Sequence, residues 1–176
     1  MKPNLVIFDG SNFYHGIKRI SPKTHLTGFK YRKLIEIITD TKNNKIEYCV
    51  GEVKYNNRSE KVKRLFASQQ KLFFNLEQQE IEIKKGYMLK TNGVYREKGV
   101  DVRIALDILR GALKNEYNRC FVISSDTDLI PAIQDAQTED KKVIYVGFGD
   151  NLSFALRAVC SQTIIISRQT ISRCAK

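Results

Sequence analysis

The chain is poor in the residues from which many sites are built. Only two histidines and four cysteines occur in 176 residues. Cys49, Cys120, Cys160 and Cys174 are scattered, with no C-x-x-C pair and no histidine beside them. That pattern excludes a zinc site, which needs clustered ligands, and reads as buried free thiols. His15 falls in a helical stretch and His25 in the loop beyond it, and a lone histidine of this kind is a surface or satisfied core residue more often than a ligand. No apolar run approaches the roughly 20 residues that span a bilayer. Met1-Lys2-Pro3 passes straight into a strand pattern without signal-peptide architecture, so a cytoplasmic protein is expected. No linker, low-complexity segment or internal repeat divides the chain, and its length suits one domain with a sizeable core.

Acids are also in short supply. Lys and Arg number 30 against 19 Asp and Glu, a net charge of +11. Such a field attracts polyanions, nucleic acid before anionic membrane. The few acids are not spread evenly, because several stand at the ends of apolar strand patterns. A basic surface that holds phosphates, with carboxylates only where a metal sits, is what a nuclease needs.

The densest case is Cys120–Ile133. Phe121-Val122-Ile123 is a short apolar, β-rich run of the kind buried on both faces. Ser124, Ser125, Asp126, Thr127 and Asp128 follow, and Pro131 fits the first turn of a helix. Two carboxylates so placed sit at the carboxyl end of a buried strand, where open α/β sheets bind ligands. They repel each other unless a cation lies between them.

The same logic applies to Leu5–Phe8, a strand ending in Asp9, with Ser11 or Asn12 as the expected cap of a helix to Ile20. Helical spacing follows over Tyr31–Ile38 and Ser59–Gln79, with a strand at Ile46–Tyr55 between them. Ile81–Ile83 alternates as a strand, and Asn92-Gly93 marks a hairpin within Met88–Glu97. Lys90, Arg96 and Lys98 interleave there with Tyr95. With Arg103 they are the candidate nucleic-acid contacts, since cations hold phosphates and rings stack on bases; an ordinary surface hairpin fits the arm equally well. A helix opens at Lys98-Gly99-Val100-Asp101 and buries Ile104, Ile108 and Ala112. Asp101 lies in its first turn, and Asp107, on another face, is a candidate supporting residue. Lys142–Val146 and Thr163–Ser167 are further strands, with a helix over Leu152–Val159 between them. Gly147-x-Gly149 is not a dinucleotide fingerprint, because the third glycine position holds Leu152. Alternation of strands and helices predicts a three-layer α/β/α sandwich over residues 1–167 with a mostly parallel central sheet and a small β-hairpin insertion. Residues 168–176 are expected as a basic C-terminal tail.

Three motifs in order, Asp9-Gly10-Ser11-Asn12, Lys98-Gly99-Val100-Asp101 and Ser125-Asp126-Thr127-Asp128-Leu129-Ile130-Pro131, resemble those of the NYN domain family, which belongs with the PIN-like nucleases. The resemblance spans nearly the whole chain. It implies a PIN-like fold and metal-dependent cleavage of RNA, single-stranded or structured, with Mg2+ or Mn2+. It places metal-binding and catalytic roles on Asp9, Asp101, Asp126 and Asp128, with Asn12 and Ser125 as neighbours. Hard oxygen ligands select such ions on chemical grounds as well. Members often carry an Ala-Asp pair before the last strand, where this chain has Cys160-Ser161.

Two other readings stand beside the nuclease. One is an RNA-binding or scaffold module with an idle acidic pocket. The other is a haloacid-dehalogenase-type phosphatase using Asp126-x-Asp128, in which the first Asp is phosphorylated; that motif wants Thr or Val where Ile130 stands. Membrane partners are not expected, and a homodimer or an inhibitory protein partner is left open.

Overall fold

The computed structural model describes residues 2–55, 60–91, 94–149 and 151–175. Strand β1 (Asn4–Asp9) is buried along its whole length and lies in the middle of the sheet. Successive side chains of a strand point to opposite faces, so Val6 and Phe8 enter one core while Leu5 and Ile7 enter another. A strand apolar on both sides needs cover on both.

The helices divide accordingly. On the Val6 and Phe8 face lie α1 (Gly10–Ile20), α2 (Tyr31–Thr39), α3 (Glu60–Glu77) and α7 (Arg168–Cys174). They contribute Phe13, Ile17, Leu34, Phe73, Leu76 and Ile171, among others. On the Leu5 and Ile7 face lie α4 (Val100–Leu113), α5 (Ile130–Thr138) and α6 (Phe154–Val159), through Ile104, Ile108, Ile133 and Leu156. The result is the three-layer sandwich that the alternating pattern predicts.

The remaining strands are β2 (Asn44–Glu52), β3 (Glu82–Thr91), β4 (Val94–Lys98), β5 (Arg119–Ile123), β6 (Lys142–Phe148) and β7 (Gln162–Ile166). Their order is β4-β3-β2-β1-β5-β6-β7, and only the β3 and β4 pair is antiparallel. The chain builds outward from β1 through β2 and β3, then returns to start the other wing at β5. Where strand order reverses in this way, the carboxyl ends of the two central strands bound a crevice.

Three local expectations change. The hairpin is not a separate insertion: β3 runs unbroken, pairing with β2 in its first part and with β4 in its second, so the arm widens the main sheet. The Asn92-Gly93 turn lies outside the described residues. Residues 168–174, set apart in the sequence as tail, form α7. Ser167 caps it by accepting from the Thr170 N–H, Ile171 and Cys174 are buried, and the Lys30 N–H donates to the Cys174 carbonyl at 2.9 Å. Two apolar side chains three apart on a helix share a face, and here the flanking arginines hide that face in the sequence. Finally, α1 is capped by Asp9 and not by Ser11 or Asn12. Among the described residues no helix is long and apolar enough to cross a membrane.

Candidate active site

Asp9 ends β1 and starts α1, and both jobs fix its carboxylate. It is only 2% exposed. Oδ1 accepts from the Asn12 backbone N–H at 3.0 Å, the bond that caps α1. Oδ2 accepts from the Asn12 side-chain amide at 2.6 Å and from the Ser124 hydroxyl at 2.8 Å. A carboxylate has about four acceptor positions, so one of Asp9's remains for a ligand. Gly10 makes the turn possible, because a Cβ there would stand 2.7 Å from the Tyr48 ring and 2.9 Å from the Cys49 carbonyl oxygen.

Asp126 approaches from β5. Its backbone N–H donates to Ser124 Oγ at 3.1 Å, so one serine ties both strand ends together. Its own Oδ1 accepts from the Asp128 N–H at 2.9 Å and caps a short helical turn over Thr127–Leu129. Asp101 comes from the first turn of α4. Gly99, with φ +78°, adopts the left-handed conformation that lets the chain leave β4 and enter that helix. Asp101 makes no hydrogen bond or ion pair among the described residues.

Asp9, Asp101 and Asp126 line one cavity of about 200 Å³ with Ser11, Asn12, Glu97 and Val100. Glu97 is the acid that sequence reasoning missed. It lies on β4, where its Oε1 accepts from the Gly51 N–H at 2.7 Å. Burial pushes its carboxyl above the ordinary range, and Asp9 and Asp101 add to that. Partial desolvation raises Asp101 as well, followed by the fields of Asp126, Asp9 and Asp128. The acids therefore repel one another across the cavity and leave a net demand for positive charge.

The other candidate residues are placed as follows. Asp128 is exposed and does not line the cavity, though its field reaches Asp101. Ser125 donates its N–H to Asn12 Oδ1 at 3.4 Å, while its hydroxyl stands 3.2 Å from Tyr145 Oη. The hydroxyl that touches Asp9 belongs to Ser124 instead. Asp107 is away from this cavity: it pairs with Arg103 at 2.7 Å and Arg110 at 3.6 Å. With Glu47, Lys45 and Lys84 it lines a separate cavity of about 120 Å³ around the start of β1. Arg103 is thus engaged by Asp107. Arg96 and Lys98 are exposed on β4, and the side chains of Lys90 and Tyr95 lie outside the described residues.

Among the described residues, no three acidic, histidine or cysteine side chains gather closely enough to hold a metal ion by themselves. The donor chemistry still fits a hard divalent cation. Mg2+ keeps several waters and is commonly bound by one or two carboxylates together with substrate phosphates. A cavity walled by mutually repelling carboxylates, one with a free acceptor position, suits that mode of binding.

No curated protein shows a matching sequence. Among solved structures, the crystal structure of a protein of unknown function from Vibrio parahaemolyticus is similar at a TM-score of 0.69. Its identity to this chain is 18%, and the match covers 94% of this chain and 93% of that one, which establishes a shared fold. The family profile for the NYN domain matches residues 4–167. That span takes in β1 through β7 and every acid of the cavity, and the chain belongs to the NYN domain family of the PIN-like nuclease superfamily.

Proposed function

We propose that this protein is a metal-dependent ribonuclease that hydrolyses RNA phosphodiester bonds. The observation that carries the reading is the meeting of Asp9, Asp101 and Asp126, from three separate elements, in one cavity on an otherwise strongly basic chain. Nucleases of this superfamily use divalent metals, and the acids here offer only hard oxygen donors.

In this reading Asp9, Asp101 and Asp126 would hold Mg2+ or Mn2+ together with waters and a substrate phosphate, with Asp128 adding its field from outside the cavity. Such an ion, when bound, would supply Lewis-acid polarisation of the phosphodiester and offset charge on the leaving oxygen. The chain's own residues do the positioning. Ser124 and Asn12 lock the Asp9 carboxylate, so its orientation is set before substrate arrives. Asp126 is locked through its capping bond. Glu97, a fourth acid on the cavity wall held in place by the Gly51 N–H, is the group positioned to take a proton from the attacking water.

The test is cleavage of labelled single-stranded RNA with Mn2+ or Mg2+, quenched by EDTA. Asp126→Asn should lower the rate by at least about 10–100-fold while leaving the fold intact. Undiminished metal-dependent cleavage by that variant would overturn the site. Absence of cleavage by the wild type across a broad RNA panel would favour the idle binding module.

A further inference from the structure

A second depression opens beside the acidic cavity and shares two of its walls, Ser11 and Glu97. It is a groove of about 430 Å³ over β2, between α1 and α3. That volume falls within the roughly 300–1,000 Å³ of small-ligand clefts. Its character is the reverse of its neighbour's. Tyr48, Val50, Leu72 and Met88 give it an apolar floor, and Glu97, at the junction, is the sole carboxylate on its walls among the described residues.

The rims are aromatic and cationic. Tyr14 on α1 is 46% exposed, and the ring of His15 meets it edge-on at a centroid distance of 5.3 Å. Lys18 Nζ stands 5.9 Å from the Tyr14 ring centroid and donates to the Pro22 and Thr24 carbonyls at 2.9 Å each, which keeps its charge beside the ring. Across the groove, Leu65 and Ser68 of α3 form the opposite rim. Lys61 and Arg64 lie four residues before them on the same side of that helix, and both are exposed.

A polynucleotide chain needs cations for its phosphates and ring faces for its bases. The acidic cavity offers neither, whereas the groove beside it offers both. We propose that the groove holds the nucleotide next to the phosphate seated at the acidic cavity, in a single strand of RNA. The base stacks on Tyr14 over the apolar floor, and the backbone runs past Lys18 with Lys61 and Arg64 facing it. A paired base cannot present its face to Tyr14, so the groove selects single strands over duplex. The inference rests on the nuclease reading for what occupies the adjoining cavity.

Binding of a short fluorescein-labelled single-stranded RNA, followed by anisotropy in EDTA, tests it without turnover. Tyr14→Ala should weaken binding by about ten-fold or more, the usual loss for a stacked base, while Tyr14→Phe stays within about two-fold of wild type. A Lys61→Ala, Arg64→Ala double variant should bind more weakly and with a shallower salt dependence. Duplex RNA of the same length should compete poorly. Unchanged affinity in Tyr14→Ala, equal binding of duplex, or no binding by the wild type would each overturn the proposal. Wild-type cleavage with unaltered Tyr14→Ala binding sinks the groove alone. The expected binding losses without any cleavage sink the nuclease reading and leave the groove standing.

Discussion

Ser124 and Asp9, 115 residues apart in the chain, are joined by a 2.8 Å hydrogen bond from the serine hydroxyl to Oδ2 of the carboxylate. The same hydroxyl receives the Asp126 N–H, so it fixes the ends of β1 and β5 relative to each other. Ser124→Ala leaves a buried carboxylate oxygen with one partner fewer and a backbone N–H without its acceptor. Such losses cost about 1–3 kcal/mol. Urea unfolding should show a fall of that size. RNA cleavage should also drop, with the acids themselves unchanged.

Asp101 is held above its ordinary range by partial desolvation at the cavity and then by the other acids. For a carboxyl whose folded pKa is raised, stability is full below the unfolded value and is lost as pH rises through the folded one. At neutral pH the metal-free protein therefore carries repulsion that Asp101→Asn removes. Asp101 is exposed, so solvent screens the effect to under about 1 kcal/mol. In EDTA the variant should melt a few degrees higher, up to about 2–4 °C. Added Mn2+ should raise the melting temperature of the wild type and have less effect on the variant. An unchanged ranking with and without metal would show that Asp101 does not face the ion.

Glu47 lies at the other cavity, 1% exposed, with its Oε1 3.0 Å from Lys45 Nζ. Burial raises its carboxyl, and Lys45 offsets this only in part. By the same sign rule the protein loses stability as pH climbs from the ordinary glutamate value of 4.5 through the raised one. Glu47→Gln should flatten that decline, with curves of melting temperature against pH converging at acid pH and separating above it. Parallel curves would place the pH dependence elsewhere.

Gly10→Ala would press a methyl against the Cys49 carbonyl, which belongs to the sheet and cannot swing aside. Overpacking of this kind costs about 1–3 kcal/mol. Because Gly10 follows Asp9, the variant should also lose the Asp9 to Asn12 cap geometry, read as a combined loss of stability and RNA cleavage.

What the sequence disclosed about the candidate site is uneven, for physical reasons. Asp9 and Asp126 are legible because each follows a run of apolar β-formers, and a buried parallel strand must release its chain at one edge of the sheet. Glu97 is not legible. It sits in an alternating charged arm, and only the antiparallel return of β4, which pairs it with Met88, swings it toward Gly51 and the cavity. Choosing between Ser124 and Ser125 likewise depends on how the chain bends after Ile123, which composition does not encode. The layers and the sheet follow from periodicity. The docking of α7 does not, because Ile171 and Cys174 carry too little apolar signal to outweigh the arginines around them.

The pairing of β1 with β5 sets an order of events during synthesis. Asp9, Glu97 and Asp101 leave the ribosome before Ser124 and Asp126, and the sheet's centre cannot close until β5 slots against β1. Joining strands this distant in the chain requires loop-closure entropy to be overcome first, which slows the step. A growing chain therefore carries its basic surface well before it carries a complete acidic cavity, and any chain cut short before β5 is left without one.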